Sequence, residues 1–289
     1  MDAIKHIERS LGQALRLAHA PDGPPSLNAA MRYAVFPGGA RIRPRLCLAV
    51  ARACGNDQPE CSVTVAAAIE LLHCASLVHD DLPCFDDAAT RRGRPAVHVA
   101  FSEQLAVLTG DALIVLAFQA LANAGAAVPQ RLPVLVTIVA RAVGAPHGIT
   151  AGQAWECEPH IALAQYQRAK TGALFAAATA GGAAAAGYDP DSWHLLGERI
   201  GEAYQIADDL RDVVAKEGEL GKPTGRDLAL GRPNAANSLG IGSAVARLED
   251  LVRSAIDAIP KCPGANDLRA HILAEASRLL PRELARPAA

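Results

Sequence analysis

Apolar residues recur at three- and four-residue spacing along almost the whole chain, the period of an amphipathic helix. Near the C-terminal end Val245, Leu248, Val252, Ala255, Ile256 and Ile259 fall on one helical face, and Pro260 stops it. Longer runs from Glu60 to Asp81, Glu103 to Asn123, Ile161 to Ala186 and Asp191 to Val213 read the same way. Turn signals separate these runs at Pro24-Pro25, Pro37-Gly38-Gly39, Gly93-Arg94-Pro95, Pro146-His147-Gly148 and Asp189-Pro190. No sustained period-two alternation marks a strand. The pattern predicts an all-α fold, a single large helical bundle around a central cavity. None of the 289 residues forms a linker, so one domain over 1–289 is expected.

Composition narrows the picture. Small-residue stretches such as Thr179-Ala180-Gly181-Gly182-Ala183-Ala184 predict close helix contacts. A phosphate loop there would need a preceding strand and different glycine spacing. Net charge is −2, which gives no basic excess for nucleic acid. Seven cysteines, an odd number without a CxxC, argue against a disulfide framework. Cys47, Cys54 and Cys61 recur every seven residues and read as a buried small-residue stripe, since zinc needs closer paired ligands. The N-terminus carries charges where a signal peptide needs an apolar run. Leu132 to Val143 is short and holds Arg141, and Ala173 to Gly187 is mostly Ala and Gly. A soluble cytoplasmic protein without a membrane span is expected.

Two acidic clusters break the apolar pattern. One is His79-Asp80-Asp81-Leu82-Pro83-Cys84-Phe85-Asp86-Asp87, followed by Arg91-Arg92. The other is Gln205-Ile206-Ala207-Asp208-Asp209-Leu210-Arg211-Asp212, followed by Lys222. Two like charges about 4 Å apart cost about 4 kcal/mol near a protein surface, so a cation is needed. Asp208 and Asp212 share one helix face, and Gln205 and Tyr204 line the same helix. Pro83 should end its helix and let Asp86 return toward Asp80. His73, two turns before Asp80, shares its face. Carboxylates from two sides with arginine and lysine nearby suit Mg²⁺ and a diphosphate ligand.

The segment Leu77 to Asp86 with Arg91-Arg92-Gly93 resembles the first aspartate-rich motif of trans-isoprenyl diphosphate synthases, and Gln205 to Asp212 resembles the second. Gly38-Gly39-Ala40-Arg41-Ile42-Arg43-Pro44 is similar to the family's basic N-terminal motif, and Lys170-Thr171-Gly172 and Gly221-Lys222 match further landmarks. The matches run from about Arg32 to Arg232, and the likeness is greatest to geranylgeranyl diphosphate synthases of carotenoid and bacteriochlorophyll pathways in photosynthetic bacteria. The resemblance implies a homodimeric enzyme that joins isopentenyl diphosphate to an allylic diphosphate with three Mg²⁺ ions. Asp80, Asp86 and Asp208 would hold metal, with Asp81, Asp209 and Asp212 in support. Arg91, Lys170 and Lys222 would bind the allylic diphosphate. Thr171 and Gln205 would face the carbocation. Arg43, His73 and Arg92 would bind isopentenyl diphosphate. No protein base stands out, and the released diphosphate is the expected proton acceptor. One departure is Ala40, where the family usually has Lys; Arg41 and Arg45 are the candidates to replace it.

Product length is a steric matter. Ser76 lies one turn, about 5.4 Å, under Asp80, with Ala75 beside it. Farnesyl-producing relatives commonly carry an aromatic at the position of Ala75. Phe118 is the expected floor, with Leu72 its partner. These small residues predict a C20 product; C15, longer products and a non-catalytic regulatory subunit are the alternatives. A terpene cyclase would leave Arg43, His73 and Arg92 without a role.

Overall fold

The computed structural model describes residues 3–160, 163–214 and 239–279. Thirteen α-helices carry the described fold: α1 (Ala3–Leu17), α2 (Pro25–Val35), α3 (Ile42–Ala53), α4 (Pro59–Asp80), α5 (Val97–Ala100), α6 (Glu103–Gly125), α7 (Leu132–Val143), α8 (Ile149–Ala154), α9 (Leu163–Gln167), α10 (Ala173–Ala185), α11 (His194–Val214), α12 (Ile241–Asp257) and α13 (Ala265–Leu279). The predicted all-α architecture is the observed one. α4 runs through the middle, packed on α1, α3, α6 and α10; α10 also packs on α7 and α11, and α12 covers α11.

The small residues do what their size allows. Every residue of α10 from Leu174 to Ala185 is buried. At Gly182 an added Cβ would stand 2.4 Å from the Cys47 carbonyl oxygen, so α3 and α10 approach backbone to backbone. Cys47, Cys54 and Cys61 are buried thiols, as the stripe reading expected. Pro59 opens α4 at a position where a missing N–H costs nothing. Ser102 caps α6 by accepting from the Leu105 N–H at 3.1 Å.

Three local features differ from the helical pattern. Residues expected in one helix up to Ala186 include a π-helical turn, Arg168–Gly172, between α9 and α10. Asp191–Trp193 is a 3₁₀ turn leading into α11. Thr90–Arg91 pairs antiparallel with Arg94–Pro95. Both loop residues of this hairpin, Arg92 and Gly93, have positive φ (54° and 72°), the requirement of a tight type I′ connection. A two-residue strand is too short to show an alternation.

Helices α4 and α6 are each long and apolar enough to cross a membrane by length and composition. Most of α4 is buried within the bundle. α6 is less covered, with Val107, Leu108 and Val115 exposed.

Candidate active site

The first acidic cluster is built by a chain reversal at the end of α4. The Asp86 N–H donates to the Asp80 carbonyl at 3.0 Å and the Ala88 N–H to the Asp81 carbonyl at 3.1 Å. Pro83 thus permits the return of Asp86 that the sequence predicted. Asp80 and Asp86 line a cavity of about 440 Å³. Asp81 faces away from it and is only 2% exposed. Arg91 Nε reaches both Asp81 oxygens, at 3.0 and 3.1 Å, and Nη2 also donates to Oδ1. Burial raises the Asp81 carboxyl above its ordinary range, and the Arg91 contacts oppose that shift. Asp81 therefore holds Arg91 in the hairpin while Arg91 itself lines the cavity.

The facing wall comes from α8 and the π-helical turn. Lys170 donates to Asp80 at 3.1 Å and to Glu156 at 2.5 Å. An added Cβ at Gly152 would lie 2.5 Å from the Lys170 backbone, so only glycine lets α8 sit this close. Glu156, in the 3₁₀ turn Trp155–Cys157, was not among the residues expected in the site. Asp80, Asp86 and Glu156 each bring an oxygen within 4.8 Å of the others. Glu156 lies 14 residues from Lys170 and outside any acidic run, so sequence offered no signal for it.

The second cluster occupies one face of α11. Asp208 and Asp212 line the cavity, and Arg211 stands 3.7 Å from Asp208. Asp209 is 2% exposed and lies behind the wall. Thr171 donates to Gln205 Oε1 at 2.7 Å, and Gln205 Nε2 donates to Asp209 at 2.9 Å. This relay spends the Thr171 proton on Gln205, leaving the Thr171 oxygen an acceptor. Both residues line the cavity. Lys222 and the chain through Arg232 lie outside the described residues.

The basic residues gather on another side of the same cavity. Arg43, His73 and Arg92 line it. Arg43 Nη1 stands 3.4 Å from His73 Nε2, and its guanidinium lies 4.5 Å from the Phe175 ring centre. Arg43 Nε is a buried donor without a partner. Burial lowers the His73 pKa well below its ordinary value, and Arg43, Arg92 and Arg91 add to the effect. The glycine pair makes the packing possible: a Cβ at Gly38 would overlap the Arg41 guanidinium at 2.1 Å, and one at Gly39 would press on Arg92 at 3.2 Å. Arg41 cannot stand in for a lysine at Ala40. It is 3% exposed and bound to Glu70 at 2.6 Å, Glu8 at 2.8 Å and the Val35 carbonyl at 2.8 Å. Arg45 is tied to Glu275 at 2.5 Å.

Below the carboxylates the cavity wall is Ser76, Leu77, Ile149 and Leu174. Ala75 is 1% exposed and sits in the core, about 100° round α4 from Ser76. Phe118 packs against the same core and does not line the cavity. Of the three expected length-determining residues, Ser76 alone reaches the wall.

The donors gathered here are carboxylate oxygens on two sides of one space, a set that fits a hard divalent cation. The polyprenyl synthetase family model matches residues 24–262. The chain is 53% identical over 281 residues to a geranylgeranyl diphosphate synthase of Cereibacter sphaeroides, covering 97% of this chain and 98% of that one. It is 52% identical over 264 residues to one of Rhodobacter capsulatus, covering 91% of each. The fold is similar to a Helicobacter pylori geranyltransferase solved with magnesium and isoprenyl diphosphate, with a TM-score of 0.77 and 28% identity over 96% of this chain and 98% of that one.

Proposed function

The chain belongs to the polyprenyl synthetase family and is a prenyltransferase, and on that premise we propose that it elongates an allylic diphosphate with isopentenyl diphosphate to geranylgeranyl diphosphate. One observation carries the reading of the site: two clusters of carboxylates and two separate sets of basic residues line a single cavity. Asp80, Asp86, Asp208 and Asp212 would hold Mg²⁺, three ions in all. Bound Mg²⁺ supplies positive charge that offsets the negative charge of the departing diphosphate.

The protein's own part follows from where its groups stand. Lys170 and Arg91 project into the acidic end and bind the allylic diphosphate there. Its carbon–oxygen bond breaks with the electron pair leaving on oxygen, and fixed positive charge at that point is worth most. Thr171 and Gln205 present oxygen toward the resulting allylic cation. Arg43, His73 and Arg92 bind the second diphosphate, so that the isopentenyl double bond attacks the cation. The new carbon–carbon bond leaves a tertiary cation, which loses a proton to the released diphosphate. No described side chain is required as the base.

The C20 product is supported by the two bacterial relatives' names and by the small Ser76 at the wall below Asp80. The whole chain acts as one domain. The exposed Val107, Leu108 and Val115 on α6 support a homodimer joined there. The seven free thiols fit a reducing cytoplasm. Purified protein with Mg²⁺, isopentenyl diphosphate and farnesyl diphosphate should give a C20 product by mass. A C15 or longer chain as main product would move the length assignment, and no elongation at all would remove the enzyme reading.

A further inference from the structure

Glu156 belongs to no acidic cluster in the sequence, yet three side chains that line the cavity converge on it. Its Oε1 accepts from Lys170 Nζ at 2.5 Å and from the Tyr166 hydroxyl at 2.7 Å. Its Oε2 accepts from Gln153 Nε2 at 3.2 Å. Gln153, Tyr166 and Lys170 all line the cavity. The Glu156 side chain is 14% exposed and that of Lys170 is 19% exposed.

Lys170 is therefore gripped at both ends. Its backbone is seated in the notch left by Gly152, where a Cβ would stand 2.5 Å away. Its ammonium lies between Asp80 at 3.1 Å and Glu156. These two anchors are not equivalent. Asp80 is a proposed metal ligand, so its hold on Lys170 would weaken once its carboxylate held a metal. Glu156 has two further donors, Tyr166 and Gln153, to hold it in place. A lysine ammonium on a four-carbon stem otherwise wanders, and its ordering entropy would fall on substrate binding.

We infer that Glu156 is the positioning residue for Lys170: it fixes the ammonium at the place of the allylic diphosphate, and it is not itself a metal ligand. Two donors on Oε1 and one on Oε2 commit three of its roughly four lone pairs to protein groups, which sets it apart from Asp80 and Asp86 although its distance from them would permit a shared cation. The inference rests on the prenyltransferase reading above. It adds a third layer to that reading, in which α8 and the 3₁₀ turn after it aim a residue of the π-helical turn.

The test is a kinetic cycle on the full chain with Glu156→Gln, Lys170→Met and both together, at saturating Mg²⁺. Glu156→Gln should raise KM for farnesyl diphosphate about tenfold, the loss of one charge-assisted hydrogen bond. KM for isopentenyl diphosphate should change less than about twofold, because that site lies on the other wall. With Lys170→Met already present, Glu156→Gln should add less than about twofold, since a positioning residue has nothing left to position. Glu156→Asp should recover part of the loss. An effect of Glu156→Gln that persists in full beside Lys170→Met, with a raised Mg²⁺ requirement, would make Glu156 a metal ligand and overturn the inference. If Glu156→Gln does not fold, Glu156→Asp enters the same cycle, and additivity with Lys170→Met again overturns it. A wild-type protein that does not elongate farnesyl diphosphate refutes the prenyltransferase reading instead, so the two failures are distinct.

Discussion

The cavity has two walls of opposite charge, and they are prepared in opposite ways. On the acidic wall the protein supplies its own cations. Arg91 holds Asp81, Lys170 bridges Asp80 and Glu156, and Arg211 stands by Asp208. On the basic wall, among the described residues, neither Arg43 nor Arg92 has a carboxylate within 4.0 Å, and the buried Nε of Arg43 has no partner. Arg41 shows the contrast within the same motif, because Glu8 and Glu70 neutralise it completely. An acidic wall braced by fixed cations keeps its shape before metal arrives. A basic wall whose arginines have no direct carboxylate partner keeps their hydrogen bonds for the moment an anion enters. The two walls should thus fail differently when altered.

The largest effect is expected at Asp80. Asp80→Asn removes a carboxylate from the metal set and one of the two anchors of Lys170. We expect kcat to fall by about 10² to 10³, the scale of losing one charge-stabilising group, with KM for isopentenyl diphosphate changed less than about threefold. Asp208→Asn should show the same pattern. Steady-state kinetics with each substrate varied in turn distinguishes the walls. A defect in Asp80→Asn that appears mainly in KM for isopentenyl diphosphate would break the comparison.

A smaller effect of opposite sign is expected at Ala40, which is exposed and lines the cavity beside Arg43. Neither Arg41 nor Arg45 is available to replace the missing lysine. Ala40→Lys should lower KM for isopentenyl diphosphate about fivefold, equivalent to roughly one charge-assisted hydrogen bond in a partly exposed site. Its effect on KM for the allylic substrate should be slight. An unchanged KM for isopentenyl diphosphate would show that Arg43, His73 and Arg92 already saturate the site.

Much of this layout was legible from the chain. Helical spacing gave the bundle, and Pro83 in the first cluster gave the reversal that brings Asp86 back to Asp80. The paired aspartates named the acidic wall, but spacing could not say which member faces inward. Asp81 and Asp209 each follow a cavity-facing aspartate by one residue. On a helix that step is about 100°, enough to put a neighbour behind the wall. The same rotation places Ala75 in the core and Ser76 on the wall. Glu156 was illegible for a different reason. Its importance depends on α8 meeting the π-helical turn, a contact made possible by the absence of one Cβ at Gly152. No periodicity encodes where two helices touch.

The smallest expected effect concerns His73, and its sign follows from the basic wall. Burial first, then Arg43, Arg92 and Arg91, depress the His73 pKa well below the ordinary histidine value of about 6.5. In the free protein the ring is neutral near neutral pH. An arriving diphosphate offsets the arginine charges and raises the pKa, so binding takes up a proton. Affinity for isopentenyl diphosphate should therefore rise as pH falls from about 8 to about 6, by up to about threefold more in the wild type than in His73→Asn. The variant carries the same titration of the substrate itself, which cancels in the comparison. Stability moves the other way. Below 6.5 the unfolded chain protonates this histidine while the folded chain resists, so the unfolded state binds more protons. The folded protein should lose up to about 1.4 kcal/mol per pH unit there, and on denaturant unfolding His73→Asn should lose less stability than the wild type between pH about 7.5 and about 5.5. If isopentenyl diphosphate instead binds His73→Asn with the full wild-type pH dependence, the ring takes no proton from the encounter. The basic wall would then act through its arginines alone.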